Sequence, residues 1–135
     1  MRIALGTDER TDLTDHVARA LKERGHAVVV VADGRPWAEV GRGVGETVAR
    51  GEAERGVLFC WTGTGASIAA NKVTGVRAAL CTDAETARGA RRWNDANVLV
   101  MSLRLASPTV ADEMLDAFLG TEPDPSEAEN IAAVE

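Results

Sequence analysis

The chain has 135 residues, 45% of them hydrophobic and 27% charged, with a net charge of −6 and a pI near 5.0. That length suits one domain with a sizeable core. The acidic balance argues against nucleic-acid or anionic-membrane partners, which need basic surface, and no apolar run approaches the roughly 20 residues of a membrane-spanning helix.

Strand-like and helical patterns alternate along the chain. Arg2–Gly6 reads as a strand from the outset, with no signal-peptide pattern before it. Leu13–Arg24 follows as a helix with Val17, Ala18, Ala20 and Leu21 on one stripe and Thr11, Asp12 or Thr14 as its cap. Next come a strand at Ala27–Ala32 and a helix at Trp37–Arg50, with Gly25 and Gly51 placed to close the two helices. Gly56–Trp61 predicts a third strand, Ala66–Lys72 a helix, and Val76–Cys81 a fourth strand. Ala84–Trp93, Asn97–Ser102 and Pro108–Leu119 complete the series as helix, strand and helix.

All five strands are rich in Val, Leu, Ala and Ile, the composition of strands buried on both faces. The repeat implies an α/β fold, a parallel sheet with helices on both sides. In such sheets ligands bind at the carboxyl ends of the strands, where Asp8, Cys60–Gly65, Thr82-Asp83 and Ser102–Arg104 fall. Residues 1–120 form the domain. Residues 121–135 are an acidic C-terminal tail or short helix that packs on a partner subunit. Its Glu122, Asp124, Glu127, Glu129 and Glu135 face no basic residue within it. The two cysteines, Cys60 and Cys81, end apolar runs and are read as reduced, in a cytoplasmic protein, with Cys81 in the core.

The densest chemistry lies in Gly56-Val-Leu-Phe-Cys-Trp-Thr-Gly-Thr-Gly-Ala-Ser-Ile-Ala-Ala-Asn-Lys72. A strand ends at Cys60, turns through Trp61-Thr62-Gly63-Thr64-Gly65 and enters an Ala-rich helix. Free N–H groups and the helix dipole at such an N-terminus favour negative charge. A thiol there can serve as a base or nucleophile. Proton abstraction next to a carbonyl needs that pairing, because the enediolate it forms is an oxyanion.

These residues resemble the ribose-5-phosphate isomerase B and galactose-6-phosphate isomerase family. The resemblance runs from Arg2 to about Gly120. It is strongest in Cys60-x-Thr62-Gly63-x-Gly65-x-Ser67-Ile-Ala-Ala-Asn-Lys72, in Gly75-Val-Arg77-Ala-Ala-Leu-Cys81, and in Asn94-Asp-Ala-Asn-Val-Leu99 with Arg104. It implies a Rossmann-like three-layer α/β/α sandwich with a five-stranded parallel sheet. It also implies a homodimer or dimer of dimers with the active site at the subunit interface, and metal-free aldose–ketose isomerisation without a cofactor. Cys60 then takes the place of the proton-shuttling base and Thr62 that of the ring-opening hydroxyl. The Gly63, Thr64, Gly65, Ala66 and Ser67 turn cradles the enediolate, and Asp8 and Asn94 hold substrate hydroxyls. Glu9 and Arg10 border the sugar or pair with each other on the surface.

The chain also departs from the family pattern. Glu9 replaces a family histidine, and Trp93 replaces the histidine before Asn94 that helps to open the sugar ring. The tail is acidic where the family carries arginines that reach phosphate. Trp93 and Trp61 are packing residues or an aromatic wall for a sugar. Arg10, Arg91, Arg92 or Arg104 is left to clamp an anion. The resemblance and these changes point to a sugar-phosphate isomerase acting through Cys60, with specificity moved from ribose 5-phosphate toward a short or open-chain sugar. The alternative is a non-catalytic sugar-binding or assembly protein that kept the fold. No His/Asp/Glu cluster has metal-ligand spacing, and Gly63-x-Gly65 lacks the third glycine of a dinucleotide fingerprint.

Overall fold

The computed structural model describes residues 1–135. Five strands, β1 (Arg2–Thr7), β2 (Ala27–Asp33), β3 (Arg55–Cys60), β4 (Ala78–Leu80) and β5 (Val98–Ser102), form one parallel sheet in the order β2-β1-β3-β5-β4. The helices are α1 (Asp12–Glu23), α2 (Trp37–Ala49), α3 (Thr64–Asn71), α4 (Ala84–Asn94), α5 (Pro108–Gly120) and α6 (Ala128–Ala133). A 3₁₀ turn at Pro125–Glu127 precedes α6. No helix is long and apolar enough to cross a membrane.

The strand pleat divides the core into two layers. Ile3, Leu5, Val57, Phe59, Leu99 and Met101 face α1, α4 and α5, where Val17, Leu21, Met114, Leu115 and Phe118 meet them. Their neighbours Ala4, Leu58, Cys60, Val98 and Val100 face α2 and α3 and pack on Val40, Val44, Ala66 and Ala70. Each fully buried Leu, Val or Phe contributes about 1.5–3 kcal/mol, so the fold rests on this three-layer α/β/α sandwich.

Short polar side chains close the starts of α1, α4 and α5, with Thr11 among the candidates expected for α1. Thr11 caps α1 in a reciprocal pair with Thr14, Asp83 caps α4, and Ser107 caps α5 ahead of Pro108. Asp8 caps nothing. Arg24 ties α1 to α5 through Asp116 at 2.7 Å.

Two expectations are corrected at the sheet edges. β2 and β4 are not buried on both faces: β2 is an edge strand, with Val30 59% exposed. The fourth strand is also shorter than the expected Val76–Cys81. The Asn71 side chain bonds both the N–H and the carbonyl of Ala78, and the Asn97 side chain takes the Arg77 N–H. Side-chain amides thus replace strand partners there, and the ladder shrinks to Ala78–Leu80. The tail folds back on its own chain. Glu135 bonds Arg77 at 2.9 Å, and the Asp124 N–H reaches the Arg92 carbonyl.

Candidate active site

The chain leaves β1 for one side of the sheet and returns to β3 on the other. The crevice between the carboxyl ends of β1 and β3 is therefore the topological switch point. Asp8 follows β1, and Cys60 is the last residue of β3. Together with Trp37, Trp61, Thr62, Thr64 and Gly65 they line a cleft of about 330 Å³.

Cys60 is 4% exposed, and its sulfur accepts the Gly63 N–H at 3.2 Å. Gly63 makes this possible because it turns at φ +82°, a conformation that a side chain opposes. α3 starts at once, two residues ahead of the expected Ala66. Its first internal bond runs from the Ser67 N–H to the Gly63 carbonyl, which leaves the N–H groups of Thr64, Gly65 and Ala66 without helical acceptors. The Thr62 and Thr64 hydroxyls bond each other at 2.9 Å at the mouth of this turn. Ala66 is fully buried behind it, against α2. A thiol, a hydroxyl pair and the positive end of a helix dipole thus share one cleft, the equipment for removing a proton and stabilising the oxyanion that results.

Asp8 supplies the acidic side of the cleft. Its Oδ1 is buried with no hydrogen-bond partner, and burial pushes its carboxyl above the ordinary value of 3.8, with the Glu9 charge adding to the effect. Glu9 itself is exposed and does not line the cleft. Arg10 does not pair with Glu9. It bonds Asp15 at 2.8 Å and lies within 4.0 Å of Asp33, in a separate hollow beside β2.

Among the proposed anion clamps, Arg91 is 3% exposed and spent on Asp95, the Ala96 carbonyl and the Thr121 carbonyl. Arg104 is exposed, its side chain forms no hydrogen bond or ion pair in the chain, and its N–H bonds the Trp61 carbonyl beside the cleft. Trp93 and Asn94 are not brought to Cys60. α4 runs antiparallel to the strands, so its last residues lie toward their amino ends, where Trp93 packs on Gly89. Cys81 is buried, and its thiol is pushed up to about 12.

A larger hollow of about 560 Å³ lies beside the β4 edge, lined by Lys72, Gly75, Arg77, Asn94 and Glu135 among others, but it holds no thiol. Trp37 is the cleft residue that sequence reasoning missed. It opens α2 far from the Cys60 motif in sequence, and only helix packing brings it there.

A sequence pattern describing ribose/galactose isomerases matches residues 3–134, through the tail. The chain belongs to the ribose/galactose isomerase family. Within this family of sugar-phosphate isomerases, it is 37% identical over 127 residues to the LacB subunit of galactose-6-phosphate isomerase from Clostridium acetobutylicum, covering 88% of this chain and 72% of the relative. It is 33% identical over 128 residues to D-erythrulose-4-phosphate isomerase from Pectobacterium atrosepticum, covering 90% and 84% of the two chains. Ribose-5-phosphate isomerase B from Clostridium thermocellum superposes with a TM-score of 0.92 at 34% identity, over 99% of this chain and 95% of that one. The ribose/galactose isomerase fold therefore extends over the whole chain.

Proposed function

We propose that this chain is an aldose–ketose isomerase whose preferred substrate is a four-carbon sugar phosphate in its open-chain form. The observation that carries the proposal is the Cys60 sulfur held by the Gly63 amide at the mouth of α3, beside three amides with no helical acceptor. In the proposed step the Cys60 thiolate takes the proton from C2 of the aldose. The electron pair left behind forms the enediolate, and the same sulfur returns the proton to C1. The Thr64, Gly65 and Ala66 amides hold the charged oxygen, so charge stabilisation needs no metal ion. The Thr62–Thr64 hydroxyl pair passes a proton between O2 and O1. Asp8 holds a substrate hydroxyl, and Arg104 meets the phosphate. In this reading Trp93 and Asn94 reach the site from a second copy of the chain, since the family resemblance implies an active site at a subunit interface.

The preference for four carbons follows from chemistry. A tetrose 4-phosphate has its O4 esterified and cannot close a furanose ring through it. It needs no ring-opening acid, which suits Trp93 in place of a histidine, since an indole cannot titrate. A D-erythrulose-4-phosphate isomerase stands among the relatives, beside ribose and galactose phosphate isomerases of similar identity.

The test compares steady-state rates on erythrose 4-phosphate and ribose 5-phosphate, with and without a chelator. The expected result is a kcat/KM at least about tenfold higher on the tetrose, unchanged by the chelator. A higher value on ribose 5-phosphate contradicts the specificity. No turnover of either sugar by folded protein favours the non-catalytic reading.

A further inference from the structure

We propose that Trp37 is a specificity-determining residue, a wall that lies along the substrate's carbon chain and limits its length; this rests on the isomerase reading above. Trp37 follows Pro36 at the first position of α2. Its indole lies directly on the backbone of Gly65, where a Cβ would come within 2.8 Å of Cε3 and 2.9 Å of Cδ2. The absence of a side chain at Gly65 lets the ring cover the first turn of α3, whose Thr64 and Gly65 line the cleft. Trp37 remains 48% exposed at the cleft mouth, and Trp61 is 55% exposed.

A single exposed apolar residue carries no meaning by itself. This one borders the proposed base and rests on the proposed oxyanion cradle. Of the seven residues lining the cleft none is basic, and two are tryptophans. Such a lining suits the C–H face of a sugar chain rather than its charged end. A large flat side chain is costly to leave half in water and gains most by stacking on the apolar face of a ligand. With the reacting carbons at Cys60, the ring fills the space that a longer chain would need beside Gly65.

The experiment has two parts. The ratio of kcat/KM on erythrose 4-phosphate to that on ribose 5-phosphate is measured for Trp37→Ala and Trp37→Phe. In parallel, Trp37 emission is titrated with 4-phospho-D-erythronate in a Trp61→Phe, Trp93→Phe background. The expected result is a ratio about tenfold lower in Trp37→Ala, a smaller fall in Trp37→Phe, and a saturable change in emission. An unchanged ratio in both variants, or an emission that does not respond, overturns the assignment. The two proposals fail separately. Protein that turns over neither sugar, but whose Trp37 emission in the double-Phe background saturates at lower 4-phospho-D-erythronate than 5-phospho-D-ribonate, loses the isomerase reading and keeps the wall; equal midpoints for the two probes overturn the wall.

Discussion

The Gly63 N–H donates to the Cys60 sulfur across 3.2 Å, from a residue held at φ +82°. The bond fixes the thiol at the start of α3 and depends on a backbone shape that side chains disfavour. Gly63→Ala should cost about 1–2 kcal/mol of stability from the left-handed conformation. The Leu80 Cδ1, 2.5 Å from the new Cβ, must also move. Turnover should fall further than stability does, because the sulfur loses its anchor. Denaturant melts and kcat measured on the same sample separate the two losses.

Gly41 of α2 plays the matching role behind the site. A Cβ there would lie 2.6 Å from the Ala66 carbonyl oxygen and 2.8 Å from the Ala69 Cβ. The first contact is backbone, so relief requires α3 to move off α2. Gly41→Ala should destabilise the fold by about 1–3 kcal/mol and lower kcat with it, since α3 carries the cradle. Thermal melts and kinetics on one preparation check both.

Asp8 gives a pH-dependent prediction. Burial raises its carboxyl above 3.8, so the folded chain binds this proton more tightly than the unfolded chain does. Stability due to Asp8 therefore falls as pH rises from about 3.8 through the folded value, and stays lowered above it. Asp8→Asn should melt higher than wild type at pH 7, with the gap closing on acidification, while kcat/KM falls. A gap that widens toward acid would refute this sign. Higher stability at the expense of activity is the usual behaviour of a strained functional group.

Arg104, exposed and unpaired with its backbone beside the cleft, is the arginine proposed to meet a phosphate. Arg104→Ala should raise KM for a sugar phosphate about 10–100-fold, the worth of a charged hydrogen bond or two. Stability should hold, because the exposed side chain bonds nothing in the free chain. Inhibition constants for inorganic phosphate should rise in parallel.

The sequence carried most of the element order because helix caps and apolar runs are local signals. Thr11, one of three residues expected to cap α1, does so, whereas Asp83, expected at a ligand-binding strand end, caps α4. The Cys60–Gly65 turn was legible because thiol, glycines and helix lie within one short segment. What long-range packing decides was not. β2 is an exposed edge despite its valines, because Val-rich composition does not distinguish an edge from a central strand. Val76–Cys81 lost its first residues where the Asn71 and Asn97 amides bond Ala78 and Arg77, a reach that only the folded loop defines. Arg10 chose Asp15 over Glu9 because the turn after β1 aims it toward α1. Trp37 meets Gly65 across two helices, a contact with no signature in either segment.

The first measurement is solvent-deuterium exchange at the carbon next to the carbonyl of erythrulose 4-phosphate, followed by NMR, in wild type and Cys60→Ala. Wild type should exchange this proton. In Cys60→Ala exchange should fall by about a thousandfold with the fold intact by circular dichroism. Exchange that persists in folded Cys60→Ala would contradict Cys60 as the base, and no exchange in wild type would contradict enolisation of this sugar at the cleft.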